Sequence, residues 1–225
     1  MGKDGIKTGI AVSDTPQRIG IMGGSFDPIH IGHLVTAQEA LERFELDTVI
    51  FMVAGGMHPT KDRLAASPKY RLAMTEIATR SNEHFEVSDW EVQRGEGGEV
   101  TYTVDTLRYL RTQYSQGASD NTEFFFITGS DAVFEILEWK DSAELANLAT
   151  FIGATRPGYD IAHAKQAHAA ALQKFDVRYL EVPALAVSST DIRARVCAGR
   201  SIRYLVGDEV ADYLYEHSLY REEQH

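Results

Sequence analysis

The sequence predicts an α/β protein with a doubly wound parallel sheet and a small helical segment at the C-terminal end. Short, continuous apolar runs alternate with segments whose apolar residues recur at helical spacing, which is the pattern of repeated strand–helix–strand units. The apolar runs show no polar alternation, so both faces of the strands are expected to be buried. The 225 residues suffice for one sizeable core of this class.

Six strands are predicted, at residues 18–22, 48–53, 85–88, 123–128, 150–154 and 177–182. Helical segments are expected between and after them, beginning near Leu34, at Pro68, near Thr103, at Ala132, after Asp141, near Ile161, after Ser188 and after Asp208. Ser67 followed by Pro68 has the form of an N-cap with proline at the first helical position. The glycine-rich stretch 94–99 is predicted to be the most flexible internal loop.

The domain organisation is predicted to be simple. Residues 1–16 have no apolar core and are expected to form a mobile extension. Residues 17–225 are expected to form one domain, in which 188–225 make the helical C-terminal part.

Composition excludes several classes of protein. The net charge of −11 argues against a broad nucleic-acid surface, and no apolar run has membrane-spanning length. One cysteine cannot build an internal disulfide framework and suits the reducing cytoplasm. The expected partners are therefore small molecules, with neither nucleic acid nor membrane, and self-association into a homo-oligomer stays open.

The stretch from Ile19 to Leu34 is the most informative part of the chain. A buried strand leads into Gly23 and Gly24, which allow a sharp turn or close approach to a ligand. A helix follows, and helix N-termini at the carboxyl ends of parallel strands bind anions. His30 and His33 are three residues apart, so both can face one phosphate group. Two surface histidines, or half of a zinc site, are the alternatives for such a pair taken alone.

Residues 23–33 read Gly-Gly-Ser-Phe-Asp-Pro-Ile-His-Ile-Gly-His. This stretch resembles the GG(S/T)FDPxHxGH signature of the HxGH nucleotidyltransferases, which adenylylate or cytidylylate small phosphate-bearing molecules. The resemblance implies a Rossmann-like nucleotidyltransferase fold.

A second motif supports this reading. Residues 187–193 read Val-Ser-Ser-Thr-Asp-Ile-Arg. Hydroxyls at a helix start with an arginine one turn later are suited to bind a phosphate. Taken alone, this would be a plain helix cap. In this order it resembles the ISSTxIR signature of the same superfamily.

The middle of the chain resembles one branch, the bacterial nicotinate mononucleotide adenylyltransferases. Four elements carry this resemblance: Thr101-Tyr102-Thr103 with Asp105-Thr106, Phe126 to Asp131, Trp139, and Arg156-Pro157-Gly158-Tyr159. The ending His217 to Tyr220 is also similar. Each element could instead be a core aromatic, a helix cap or a loop residue, and it is their order that favours function.

The resemblance implies transfer of the adenylyl group of ATP to nicotinate mononucleotide, with Mg²⁺ accompanying ATP and no dedicated protein metal cage. His30 and His33 would act in catalysis. The residues implied for ATP are Gly23, Gly24, Ser25, Phe26, His30, His33, Gly129, Ser189, Thr190 and Arg193. The residues implied for the mononucleotide are Tyr102, Thr103, Asp131, Trp139, Arg156 and Lys61.

The sequence departs from the family pattern at two places, and three alternative functions stay open. Residues 57–61 read Met-His-Pro-Thr-Lys where many members have a Pro-Pro-His-Lys-like loop, and the stretch 95–99 is longer than the usual Gly-Pro. The alternatives are another acceptor such as phosphopantetheine or nicotinamide mononucleotide, a cytidylyltransferase using CTP, and a nucleotide-binding sensor that has lost catalysis. Intact His30, His33 and Arg193 argue against the last.

Overall fold

The structure is a computed structural model that describes residues 16–56, 66–114, 121–155, 173–183 and 186–221, with the single residues 158, 162, 166 and 169. Its strands are β1 (Gln17–Gly24), β2 (Thr48–Val53), β3 (Phe85–Ser88), β4 (Thr122–Gly129), β5 (Thr150–Thr155) and β6 (Val177–Glu181). Its helices are α1 (Ile31–Arg43), α2 (Pro68–Thr79), α3 (Trp90–Glu96), α4 (Thr103–Tyr114), α5 (Ser130–Phe134), α6 (Ser142–Leu148), α7 (Ser189–Cys197) and α8 (Asp208–Glu216), with a 3-10 turn at Ile136–Glu138.

The six strands form one parallel sheet in the order β3-β2-β1-β4-β5-β6. This order reverses direction between β1 and β4, which makes that point the topological switch where ligands bind in doubly wound sheets. The predicted fold class is confirmed. Pairing of Ile21 with Ile50 on one side and Phe126 on the other places β1 in the middle of the sheet.

Two apolar layers cover the sheet. One contains Phe51, Phe125 and the buried faces of α1, α7 and α8. The other contains Phe126, Phe151 and the buried face of α4. Because β1 is buried on both faces, its carboxyl end is held rigidly where the chain leaves the sheet at Gly24.

Helix α3 was not predicted, and it replaces the first part of the expected flexible loop at 94–99. It packs directly on the carboxyl end of β2: a Cβ on Gly55 would lie 1.7 Å from the carbonyl oxygen of Glu91, and one on Gly95 would lie 2.5 Å from the carbonyl oxygen of Gly55. Two glycines thus permit a backbone-to-backbone contact that no side chain would allow.

The proposed C-terminal helical part is represented by α7 and α8, and Gly199 follows α7 with the positive φ of a C′ residue. The predicted extension at 1–16 lies, apart from Pro16, outside the described residues, as does most of the helix expected near 161–175. None of the helices in the described ranges is long and apolar enough to cross a membrane.

Candidate functional site

The turn between β1 and α1 is built around Phe26. Its backbone has φ of 45°, a left-handed conformation that is uncommon for a bulky residue. The side chain is nonetheless fully buried, and its ring packs edge-on against His33 with centroids 5.1 Å apart. A Cβ on Gly24 would lie 3.1 Å from this ring, so the glycine makes room for the aromatic that orients His33.

His30 and His33 lie together at the start of α1. Their rings are stacked with centroids 3.7 Å apart and an interplanar angle of 21°. The backbone N–H of His30 donates to Nδ1 of His33 at 3.2 Å, so in the neutral imidazole the proton is on Nε2. His33 thereby presents a donor from a rigid ring, which is the group needed to stabilise charge on a phosphate.

Burial lowers the pKa of His30 from its ordinary 6.5 to about 4, with a smaller opposing effect from a backbone hydrogen bond. His30 is therefore neutral at pH 7. A positive charge on this ring is disfavoured because the ring is desolvated.

We expect this burial to make folding pH-dependent. Between pH 6.5 and 4 the unfolded chain binds a proton on His30 that the folded chain does not, so stability falls as the pH is lowered through that window. The free energy of unfolding should drop by up to about 3 kcal/mol more in wild type than in His30→Asn, measured by urea titrations at several pH values. The exposed His84 supplies the control, because His84→Asn should keep the wild-type slope. Equal slopes in wild type and His30→Asn would contradict the assignment.

Asp27 is the centre of a buried polar network beneath the turn. It is 1% exposed, and its Oδ1 accepts from the hydroxyl of Tyr220 at 2.6 Å and from the backbone N–H of Ala66 at 3.0 Å. Burial, reinforced by the adjacent Asp27 carboxylate, raises the pKa of Tyr220, so the hydroxyl stays a donor. Arg71, also buried, donates to the carbonyls of Ser25 and Ala54 at 2.6 and 2.7 Å. The turn is therefore held by residues 66–71 and by Tyr220 near the C-terminal end of the chain.

The Ser-Ser-Thr-Asp-Ile-Arg motif opens α7 and docks onto the same turn. Ser188 caps the helix by accepting from the N–H of Asp191, and the Ser189 hydroxyl donates to the carbonyl of Pro28 at 2.9 Å. Arg193 is 6% exposed and donates to the carbonyl of Asp27 at 2.8 Å, whereas Thr190 is exposed. In this structure Ser189 and Arg193 hold α7 against the β1–α1 turn.

A cavity of about 230 Å³ opens at the switch point between β1 and β4. We call it the threonine cavity, because four threonines contribute to its wall. It is lined by Gly23, Gly24, Met52, Glu91, Thr101, Thr103, Thr106, Phe126, Thr128 and Trp139. Trp139 stands edge-on to Phe126 with centroids 6.0 Å apart, which leaves a half-buried aromatic face toward the space.

A second cavity, of about 160 Å³, lies beyond the two histidines. We call it the histidine cavity. It is lined by His30, Gly32, His33, Val35, Thr36, Val182, Pro183 and Val187. The two cavities lie against the two ends of the β1–α1 turn, with Gly23 and Gly24 in one wall and His30 and His33 in the other.

The structure brings Gly23, Gly24, Thr103 and Trp139 together in one cavity and His30 and His33 in the other. Ser25 and Phe26 lie in the turn between them. Tyr102 is 46% exposed, with its ring beneath the Lys140 ammonium at 4.5 Å, and Gly129 is exposed at the end of β4. Lys61, Arg156 and the side chain of Asp131 lie outside the described residues.

Sequence reasoning missed two features of the site. Glu91 lines the threonine cavity from a helix that had no recognisable apolar period. Asp27 was noted in the motif but not as the acceptor for Tyr220, a contact that spans 193 positions and leaves no local signal.

Comparison with known proteins identifies the family of this chain. The cytidylyltransferase-like family model matches residues 21–195. A protein of Clavibacter michiganensis subsp. michiganensis named "Probable nicotinate-nucleotide adenylyltransferase" is 48% identical over 207 residues, which is 92% of this chain and 96% of the relative. A protein of Streptomyces coelicolor with the same name is 46% identical over 202 residues, covering 90% of this chain and all of the relative.

Solved structures share the fold. Nicotinic acid mononucleotide adenylyltransferase of Plasmodium falciparum, complexed with NaAD, superposes with a TM-score of 0.69 at 22% identity, covering 91% of this chain and 97% of that one. The same enzyme complexed with APC gives a TM-score of 0.69 at 20% identity, with the same coverage. At such identities the likeness establishes the architecture alone.

Proposed function

This chain belongs to the cytidylyltransferase-like family and, within it, to the nicotinate-nucleotide adenylyltransferases, and we propose how its residues carry out adenylyl transfer. It transfers the adenylyl group of ATP to nicotinate mononucleotide, giving nicotinate adenine dinucleotide and pyrophosphate. The family and the reaction predicted from sequence are confirmed by these relatives. The observation that carries the residue assignment is the pair of cavities on either side of the β1–α1 turn.

The threonine cavity takes the pyridine ring of the mononucleotide. Trp139 supplies an aromatic face for stacking, and Thr103, at the first position of α4, supplies donors for the carboxylate. Neither the N–H nor the hydroxyl of Thr103 has a hydrogen-bond partner within the described part of the chain. The N–H of Tyr102, by contrast, already donates to Asp105 at 3.2 Å.

The histidine cavity takes the adenosine half of ATP. Its apolar lining, Val35, Val182 and Val187, suits a planar base, and it places the α-phosphate near His33. The mononucleotide phosphate then attacks the α-phosphorus over Gly23 and Gly24 at the end of β1, and pyrophosphate leaves. No protein nucleophile is needed, since positioning and charge stabilisation supply the catalysis.

Ser189, Thr190 and Arg193 are assigned to the departing β- and γ-phosphates. Thr190 is the exposed member of the set, while Ser189 and Arg193 position the N-terminus of α7 through Pro28 and Asp27. A helix N-terminus fixed in this way attracts anions.

Mg²⁺ would accompany ATP and would offset the charge of the triphosphate. The described residues contain no group of three or more His, Cys, Asp or Glu side chains arranged for a metal ion. The cytoplasmic location and the absence of nucleic-acid and membrane partners stay predictions from sequence.

The experiment that tests the assignment compares the acid mononucleotide with its amide. A site built on specific hydrogen bonds can discriminate by orders of magnitude, so kcat/KM for nicotinate mononucleotide should exceed that for nicotinamide mononucleotide by about 100-fold or more. Thr103→Ala should reduce this ratio. Trp139→Ala should lower kcat/KM for both substrates and leave the ratio unchanged, because stacking is indifferent to the substituent.

The readout is pyrophosphate release with ATP and a panel of acceptors. Equal use of the acid and the amide by wild type would refute the acid assignment. A loss of selectivity in Trp139→Ala with none in Thr103→Ala would show that the two roles are reversed.

A further inference from the structure

Glu91 is the one carboxylate in the wall of the threonine cavity, among the described residues, and the mechanism above does not use it. Its presence is unexpected, because the substrate assigned to this cavity carries a carboxylate of its own. Two carboxylates sharing one small space repel each other unless one of them is neutral.

The position of Glu91 is imposed by backbone packing. Helix α3 lies on Gly55 so closely that a Cβ there would meet the Glu91 carbonyl at 1.7 Å, and a Cβ on Gly95, one turn later in α3, would meet the Gly55 carbonyl at 2.5 Å. This backbone contact fixes the position of residue 91 beside the cavity that its side chain lines.

The hydrogen bonding of Glu91 is incomplete. The buried Thr106 donates its hydroxyl to Oε1 at 2.5 Å, which is the single hydrogen bond that the Glu91 carboxyl group makes with described residues. The nearby cation on the same helix, Arg94, is directed elsewhere: it donates to the Thr101 hydroxyl at 3.2 Å and pairs with Glu99 at 2.7 Å. No ion pair compensates Glu91 in the described part of the chain.

Groups on the neighbouring elements both raise and lower the pKa of Glu91. Burial raises the pKa of Glu91 to about 7, and Asp105 on α4 adds to this rise, whereas the Thr106 hydrogen bond and the charge of Arg94 oppose it. Asp105 itself is paired with Arg108 and Lys140, each at 3.5 Å. The carboxyl group of Glu91 can therefore exchange between its two forms near neutral pH.

We propose that Glu91 is a specificity-determining residue of the mononucleotide site: its neutral form admits the acid substrate, and its ionised form favours the amide. Binding of the nicotinate carboxylate is accompanied by uptake of one proton on Glu91, so the new O–H replaces a repulsive charge. Ionised Glu91 instead accepts hydrogen bonds from the carboxamide NH₂. This inference rests on the proposed function, since it requires the pyridine ring to occupy the threonine cavity.

The test is the pH dependence of the acid-to-amide ratio of kcat/KM between pH 6 and 8.5. In wild type the ratio should fall roughly tenfold or more as Glu91 ionises. The 5′-phosphate is common to both substrates, so its titration cancels in the ratio. Glu91→Gln should make the ratio independent of pH. Glu96→Gln, which removes an equal charge from an exposed position on the same helix, should keep the wild-type profile.

A second variant and a binding measurement keep the test decisive. Thr106→Val removes the donor that favours ionised Glu91, so the midpoint of the ratio should move to higher pH; a purely structural role would not move it. Calorimetry with nicotinate mononucleotide in two buffers of different ionisation enthalpy should show proton uptake at pH 7.5 in excess of that seen with the amide, and Glu91→Gln should abolish the excess.

The outcomes distinguish a failure of the proposed function from a failure of the role proposed for Glu91. If neither mononucleotide is a substrate for wild type, the proposed function fails. If the acid is used but its advantage over the amide does not depend on pH, or if Glu91→Gln keeps the wild-type profile, the role of Glu91 is refuted while the function stands.

Discussion

Replacing His33 by alanine is expected to lower kcat roughly 100- to 1000-fold, with a much smaller effect on the apparent affinity for ATP. The ring is fixed from two sides, by the edge-on contact with Phe26 and by the hydrogen bond from the His30 N–H to Nδ1. In the proposed mechanism its Nε2–H would meet the reacting phosphate without reorganisation, and an interaction made mainly in the transition state affects turnover more than binding.

The measurement is steady-state pyrophosphate release at saturating ATP and mononucleotide, with circular dichroism to verify folding. His84→Ala is the matched control, since His84 is exposed and its ring lies 3.1 Å from the Asp47 carbonyl oxygen; it should retain wild-type turnover. A folded His33→Ala enzyme with near-normal kcat would show that the charge stabilisation comes from other groups.

The parts of the site that could be predicted are those formed by residues that are consecutive in the sequence. The run into Gly23 and Gly24 and the spacing of His30 and His33 define a strand, a turn and a helix start, and all three are found in the structure. A parallel sheet then places that turn at the switch point, because the carboxyl ends of its strands share one edge.

The parts that could not be predicted depend on contacts between distant segments. Helix α3 is short and contains Gly95, a poor helix former, so packing on Gly55 rather than local propensity accounts for it. With α3 unpredicted, Glu91 could not be placed in the cavity. The hydrogen bond from Tyr220 to Asp27 likewise depends on the path of the whole chain.

Arg193 has a structural role in addition to the phosphate-binding role predicted from the motif. The motif indicates a phosphate ligand, and that role stays a prediction. The structure adds a second task, because the guanidinium lies 4.0 Å from the Asp27 carboxylate, donates to the Asp27 carbonyl and reaches the Thr190 hydroxyl at 3.4 Å. One planar group therefore connects α7 to the turn that carries the histidines.

Arg193→Lys is accordingly expected to be severe although it keeps the charge. A lysine ammonium is a point donor and cannot reproduce the planar fork, and loss of a buried, charge-assisted hydrogen bond costs about 2 kcal/mol. We expect the free energy of unfolding to fall by about that amount in urea titrations. The apparent KM for ATP should rise roughly tenfold or more, with little change in the KM for the mononucleotide.

Arg195→Lys is the control on the same helix. Arg195 is one-third exposed and pairs with Asp191 at 2.7 Å, a surface ion pair whose alteration should change stability by less than about 1 kcal/mol and leave both KM values unchanged. If Arg193→Lys weakened the mononucleotide more than ATP, Arg193 would belong to the other half of the site. If it left stability and both constants intact, neither the anchoring of α7 nor the contact with the phosphates would depend on the guanidinium fork.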